Sequence, residues 1–224
     1  MARRLLLAVT AYAVLALLVV GWGWLLTHSL EGGVDPVDDD ISRWLAGERR
    51  GWLDPVAEAG TFLGETPVGL AVGAVVGIVA GLALRSLRPL VLVLLADAGD
   101  GGIYWLGSHA DPRDRPPVQI LDSGLVPDHS FPSGHVGTAV AVYGGAAVLL
   151  AIWAAHRSGA WRLLVELLGC LPLFVAASRL YEGAHHLTDV ATALVYGSVW
   201  LALVARTLVP RSTRGDEHAA VPHG

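Results

Sequence analysis

The stretch FPSGHVGTAVAVYGGAAVLLAIW, residues 131–153, decides the fold. A polar start containing proline gives way at Gly134 to an apolar run that continues to about residue 155. At about 1.5 Å per residue, such a run can cross about 30 Å of hydrocarbon as a helix. A backbone surrounded by lipid must satisfy its own hydrogen bonds, which a helix does. The stretch therefore predicts a membrane-spanning helix that begins among polar residues.

The rest of the chain has the same character. Its 224 residues are 54% hydrophobic and 16% charged, whereas soluble domains carry about 25% charged residues. Five more apolar runs are near the length of a spanning helix, at about 5–27, 67–84, 89–108, 161–179 and 187–208. We predict an all-α, polytopic membrane protein with six transmembrane helices. Residues 1–210 form one domain, and 211–224 are expected to be a disordered cytoplasmic tail.

The first run follows Arg3 and Arg4, as the core of a secretory signal would. It is longer than a typical signal core, and no small-x-small cleavage site follows it, so a retained helix is favoured. The distribution of arginines then predicts the orientation, because cytoplasmic segments are enriched in basic residues. With a cytoplasmic N-terminus, nine arginines lie inside (3, 4, 85, 88, 157, 162, 206, 211 and 214) and six outside (43, 49, 50, 113, 115 and 179). We expect a multi-pass cell-membrane protein with both termini cytoplasmic.

The segment between the first two spans contains three consecutive aspartates, Asp38 to Asp40, ahead of an apolar stretch with Trp44 and Trp52. Acidic residues suit the start of a helix. Tryptophans on an amphipathic helix suit the surface of a membrane. The pattern predicts one or two short interfacial helices within 35–66, and a solvated loop is the alternative.

Polar residues cluster at three span ends, all on the predicted outer face. In one cluster, His185 and Asp189 are four residues apart and share one face of a helix. A carboxylate on one ring nitrogen fixes the tautomer and leaves the other nitrogen available as a nucleophile. Arg179, at the end of the preceding span, can clamp two phosphate oxygens. The alternative is that His185 and Asp189 only cap the sixth helix.

A second cluster opens the fourth span. Ser133 can cap the helix or donate its hydroxyl, and Gly134 lets a ligand approach the backbone. Free amides at a helix N-terminus favour an anion, beside which His135 could donate a proton. An ordinary helix cap with an interfacial histidine is the alternative.

The third cluster places Arg113 and Arg115 in a loop stiffened by Pro112, Pro116 and Pro117. Alone, it could be a basic surface loop. Two histidines, a carboxylate, arginines and a helix start on one face together describe a phosphoryl-transfer site that needs no metal.

The segments Arg115-Pro116, 132–135 (PSGH) and 178–189 (SRLYEGAHHLTD) resemble the three-part signature of the type-2 phosphatidic acid phosphatase superfamily. The resemblance covers roughly residues 100–195. It implies that His185 attacks phosphorus, Asp189 orients it and His135 protonates the leaving group. It also implies that phosphate is bound by Arg115, Ser133, Gly134 and Arg179.

The chain departs from that signature at one position. The family's first motif begins with a lysine seven residues before its arginine, and that position is Ser108 here, followed by His109. All 15 basic residues are arginine. Either Arg113 or protonated His109 supplies the missing charge, or the activity is low or the substrate unusual.

The resemblance implies a hydrolase that acts through a phosphohistidine, with no metal, no other cofactor and no nucleic acid. Its partner would be a membrane lipid: polyprenyl diphosphate, phosphatidic acid or phosphatidylglycerol phosphate. One alternative is a catalytically weakened member that binds or moves phospholipid, and another is a vanadate-dependent haloperoxidase. The oligomeric state stays open.

Other polar residues carry weaker expectations. Asp97 and Asp100, in the third span, should face the bundle interior or a wet cavity, because intramembrane carboxylates are costly. His186 is expected to be structural or close to the substrate. The other histidines are expected to be solvated: His28, His129, His156, His218 and His223.

Overall fold

The structure is a computed structural model that describes residues 2–154 and 159–208, with side chains from Leu6 onward. Within these ranges the chain is helical and contains no strand, which confirms the predicted all-α class. The tail predicted at 211–224 lies outside the described residues.

Nine α-helices follow one another in the described part of the chain. A π-helical turn, Leu25–Ser29, extends α1, and another, Val140–Gly144, joins α6 to α7. The helices are α1 (Ala2–Trp24), α2 (Glu31–Gly47), α3 (Asp54–Gly64), α4 (Thr66–Leu84), α5 (Arg88–Ala110), α6 (Gly134–Ala139), α7 (Gly145–Trp153), α8 (Gly159–Tyr181) and α9 (Leu187–Leu208).

Six helical stretches in the described ranges are long and apolar enough to span a membrane. Each coincides with one of the six predicted runs to within a few residues, so the six-span prediction is confirmed. They are Leu6–Ser29, Thr66–Leu84, Arg88–Ala110, Gly134–Trp153, Gly159–Tyr181 and Leu187–Leu208.

The short helices α2 and α3 occupy the segment for which one or two helices were predicted. The predicted helix start at Asp38 to Asp40 was wrong, because α2 begins at Glu31 and these aspartates lie well inside it. Asp38 is 2% exposed, and its carboxylate bonds to distant residues rather than to the first amides of its own helix.

Small residues let the spanning helices approach closely. On one face of α4, a Cβ atom added at Gly73 would lie 2.9 Å from Val93, and one at Gly77 would lie 2.8 Å from Leu90. Both distances are shorter than a Cβ contact allows, so these glycines allow α4 to pack tightly against α5.

The core lies where α5, α6, α8 and α9 meet, with α1 packed against α5 and α9. Successive spans cross in alternate directions, so the connections at 30–65, 111–133 and 182–186 lie at the same end of the bundle. All three polar clusters are in or next to these connections.

Candidate active site

His185 lies in the short turn between α8 and α9 and is 3% exposed. Its Nδ1 atom is 2.7 Å from the backbone carbonyl oxygen of Ser130, which can only accept, so Nδ1–H donates. The other ring nitrogen, Nε2, therefore keeps its lone pair. The sequence predicted that one ring nitrogen would be bonded and the other free, but it did not specify which.

The group that sets the tautomer differs from the prediction. Asp189 was expected to accept the His185 proton, but its Oδ2 atom is 3.8 Å from Nδ1, beyond hydrogen-bond distance. Asp189 Oδ2 instead accepts from Ser130 Oγ at 2.6 Å and from the His186 amide at 2.8 Å. The carboxylate thus holds Ser130, whose carbonyl holds the histidine ring. It also caps the start of α9, so the capping alternative is part of its role.

His135 lies in the first turn of α6 and lines the same cavity as His185. The rings that were predicted to flank one anion therefore share one space of about 180 Å³. The cavity is lined by Thr66, Asp97, Asp100, Gly101, Tyr104, Arg115, Leu125, His129, Gly134, His135, Thr138 and His185.

The start of α6 has unpaired hydrogen-bond donors beside this cavity. The first backbone bond of the helix runs from the Gly137 amide to the Ser133 carbonyl at 3.1 Å, so earlier amides have no partner within the helix. The Ser133 hydroxyl is fully buried and has no hydrogen-bond partner among the described residues. It does not make the cap bond that the sequence suggested. Buried donors without partners are costly, and they are what an anion would satisfy.

Arg115 reaches the cavity from the 111–133 loop. Its guanidinium donates to three backbone carbonyls, those of Val126 at 2.8 Å, Ala184 at 2.5 Å and His129 at 3.0 Å. The bond to Ala184 ties the loop to the turn that carries His185, and the other two bonds are within the loop. Burial, with the nearby charge of Arg179, lowers the pKa of Arg115 from its ordinary value.

Arg179, near the end of α8, is fully buried. One of its terminal nitrogens donates to Thr61 Oγ1 and Glu182 Oε2, both at 2.8 Å, and the other donates to Asp122 Oδ2 at 2.9 Å. Its Nε atom has no hydrogen-bond partner in the described ranges. The guanidinium is thus held rigidly behind the cavity rather than on the surface that lines it. Burial raises the pKa of Glu182 from its ordinary value against the charge of Arg179.

The structure places neither Ser108, where the first-motif lysine is missing, nor the two candidates for its charge, Arg113 and His109, in the cavity wall. Arg113 is turned inward, because its guanidinium donates to Asp35, Asp38 and Asp189. Burial opposes its charge, but these carboxylates outweigh that effect and raise the pKa of Arg113.

Ser108 and His109 also point elsewhere. Ser108 is fully buried, with its hydroxyl 3.4 Å from the Trp105 carbonyl. The ring of His109 is stacked on Trp105, with ring centroids 4.8 Å apart. Neither side chain lines the cavity.

Sequence reasoning gave no part in the site to two residues, His129 and Ser130, that the fold brings to the cavity or to His185. His129, expected to be solvated, lines the cavity, and its ring lies 4.8 Å from that of His109. Asp97 and Asp100, predicted to face the interior or a wet cavity, also line it, with Asp100 2% exposed. Ser130 belongs to no motif, and no sequence signal pointed to it, since its part in the site depends on its backbone carbonyl.

Electrostatics in the turn keep His185 neutral. Burial lowers the pKa of His185 to about 4, and the positive charges of Arg179 and Arg115 act in the same direction against Asp189. The neutral ring is the form that has a lone pair for attack. No group of three His, Cys, Asp or Glu side chains in the described part of the chain is arranged to hold a metal ion.

Fold and site together define a polytopic helical membrane protein with a histidine- and arginine-lined cavity at one end of its bundle. The chain belongs to the PAP2 superfamily of phosphatases, whose family model matches residues 87–212. Its fold is similar to the crystal structure of a transmembrane PAP2-type phosphatidylglycerolphosphate phosphatase from Bacillus subtilis. The TM-score is 0.68 and the identity 23%, and the match covers 92% of this chain and 98% of the other. Comparison with curated proteins gives no match.

Proposed function

We propose that the protein hydrolyses a lipid phosphate or diphosphate through a phosphohistidine intermediate on His185. The observation that carries this is the fixed tautomer of His185 on the wall of a cavity shared with His135. Because Nδ1–H is held by the Ser130 carbonyl, Nε2 is the nitrogen available to phosphorus.

The reaction has two steps. Nε2 of His185 attacks phosphorus, the bond from phosphorus to the leaving oxygen breaks, and His135 gives that oxygen a proton. Water then attacks the phosphohistidine while His135, now neutral, accepts a proton from the water. The phosphorus–nitrogen bond breaks, phosphate leaves, and His185 regains its lone pair.

Charge on the transferred group needs fixed donors, because phosphoryl transfer depends mainly on positioning and electrostatic stabilisation. Arg115 and the first residues of α6 line the cavity and supply donors there. The Ser133 hydroxyl, just before α6, is buried without a partner among the described residues and is a further donor. Arg179 adds positive charge from behind. Gly134 contributes its backbone, where an added Cβ would lie 3.3 Å from the Tyr104 ring.

The substrate we propose is amphiphilic, and polyprenyl diphosphate, phosphatidic acid and phosphatidylglycerol phosphate all fit that description. The arginine distribution supports a site on the extracytoplasmic face with both termini in the cytoplasm. The missing lysine favours a second candidate, a weakened family member that binds or moves phospholipid, because neither Arg113 nor His109 lines the cavity.

The deciding experiment measures phosphate release by the purified protein in detergent from each of these lipids, with and without EDTA. We expect release that EDTA does not affect and that His185→Ala abolishes. His28→Ala is the matched control, since His28 is an exposed histidine away from the cavity.

Trapping the labelled protein after rapid mixing should show an acid-labile, alkali-stable phosphate on wild type only. Activity retained in His185→Ala would refute the nucleophile, and loss with EDTA would refute metal independence. Lipid transfer between vesicles without phosphate release would establish the second candidate.

A further inference from the structure

Asp38 lies inside α2, outside every sequence motif, yet its side chain is 3% exposed. A buried carboxylate is costly unless it is paired and hydrogen-bonded. Its partners all come from other parts of the chain. Its Oδ2 atom accepts from Arg113 at 3.0 Å and from the Thr188 hydroxyl at 2.5 Å, and Oδ1 lies 3.3 Å from the Thr188 amide.

From Asp38 a continuous series of bonds reaches the imidazole of His185. Arg113 donates to Asp189 Oδ1 at 2.6 Å. The other oxygen of Asp189 accepts from the Ser130 hydroxyl at 2.6 Å, and the Ser130 carbonyl accepts from His185 Nδ1 at 2.7 Å. Every member of this series is buried.

The orientation of Arg113 depends on these carboxylates. Its Nε atom has no hydrogen-bond partner in the part of the chain described, so the two terminal nitrogens alone hold the guanidinium. One of them bonds to Asp38 and to the partly exposed Asp35 at 2.6 Å. The other bonds to Asp189 and to the Thr188 hydroxyl at 2.7 Å. A planar fork held at both ends fixes the Asp189 carboxylate as well.

We propose that Asp38 is a positioning residue, which acts through Arg113, Asp189 and Ser130 to hold the His185 ring in its reactive tautomer and direction. The proposal rests on the proposed function, in which His185 is the nucleophile. It makes α2 a part of the catalytic apparatus, although the family signature begins far beyond this helix.

The main test compares Asp38→Asn with Asp40→Asn in the phosphate-release assay. Asp40 is the matched control because it is in the same helix, has a side chain 78% exposed and pairs only with Arg43 among the described residues. We expect Asp38→Asn to lower kcat by about tenfold to a hundredfold, the size of effect that a small misplacement of a reacting group produces. KM should change little, because Asp38 does not line the cavity. Asp38→Glu should recover part of the lost kcat.

Thr188→Val perturbs the same junction without leaving a buried charge unpaired. Its hydroxyl links Arg113 to Asp38, so a smaller fall in kcat is expected even if Asp38→Asn does not fold. The proposal is overturned if Asp38→Asn melts like the Asp40→Asn control and keeps its kcat. It is also overturned if Thr188→Val folds and keeps wild-type kcat.

A readout that does not require turnover separates this proposal from the proposed function. Protein with ¹⁵N-labelled histidine shows the His185 ring nitrogens by NMR, assigned from the signals lost in His185→Gln. Wild type and Asp40→Asn should show a proton fixed on Nδ1, and Asp38→Asn a mixture of tautomers. A wild-type spectrum in Asp38→Asn would refute the positioning role. If Asp38→Asn shows the mixture of tautomers but the wild-type protein hydrolyses no lipid, the positioning role stands and only the proposed function is refuted.

Discussion

Acidification tests the environment of the proposed nucleophile. The His185 side chain is 3% exposed, and burial lowers its pKa from 6.5 to about 4. Protonation occupies the lone pair on Nε2 and stops attack. Because the folded-state pKa is depressed, the neutral ring persists below pH 6.5. It is lost only as the pH falls through about 4.

The size of the effect follows from those two values. At pH 5.5, an ordinary imidazole would be only about 10% neutral, which would reduce the rate about tenfold from its value at pH 7.5. With a pKa of about 4, roughly 97% of the His185 rings stay neutral at pH 5.5. We therefore expect protonation of this residue to reduce kcat/KM very little between pH 7.5 and pH 5.5.

The assay measures kcat/KM from pH 4 to pH 8 with a short-chain lipid phosphate, because kcat/KM reports the ionisations of the free enzyme, to which this pKa belongs. Arg115→Gln removes one of the positive charges that depress the pKa of His185. The acidic side of the pH–rate profile of this variant should therefore move to higher pH. A wild-type acid limb centred near pH 6.5, unmoved in Arg115→Gln, would refute the reasoning.

Three further predictions concern substitutions of single residues. Ser133→Ala should leave the melting temperature unchanged or raise it, because the hydroxyl is buried without a partner among the described residues. The same variant should lower kcat/KM about tenfold, which is the contribution of about one hydrogen bond to a charged group. Arg179→Lys should lower the melting temperature and should lower kcat/KM by about tenfold or more, because a lysine cannot make all the bonds of the guanidinium fork. A fully active variant would contradict this. Gly99→Ala should cost about 1–3 kcal/mol in thermal unfolding, since its Cβ would overlap the indole of Trp200. The control Gly101→Ala, with open space around it, should be neutral or stabilising by up to about 1 kcal/mol; equal losses in the two variants would exclude the overlap as the cause.

Much of the fold could be predicted from the sequence, because lipid leaves few choices. A backbone in hydrocarbon must form helices of a given length, so apolar runs such as 134–155 locate spans to within a few residues. The four-residue spacing of His185 and Asp189 was a poorer guide, because His185 lies in the turn before α9 and its Nδ1 atom is 3.8 Å from the Asp189 carboxylate.

The structure of the polar segments between the spans was harder to predict from the sequence. Asp38 looked like part of a helix start because aspartate is common there, but helix α2 begins earlier and directs that carboxylate to Arg113. Arg113 and Arg115 are two residues apart in one loop, and no local rule separates the one that faces the cavity from the one that faces the carboxylates.

The sequence by itself determined a six-span helical membrane protein and selected His135, His185 and Arg115 as candidates for its site, because those properties follow from local motifs and from the length of apolar runs. Only the tertiary structure decided that a backbone carbonyl, that of Ser130, holds His185 and that Asp38 supports it from α2. Both contacts join residues far apart in the chain, and a carbonyl group is present in every residue. Their partners are therefore set by packing and not by any pattern of side chains.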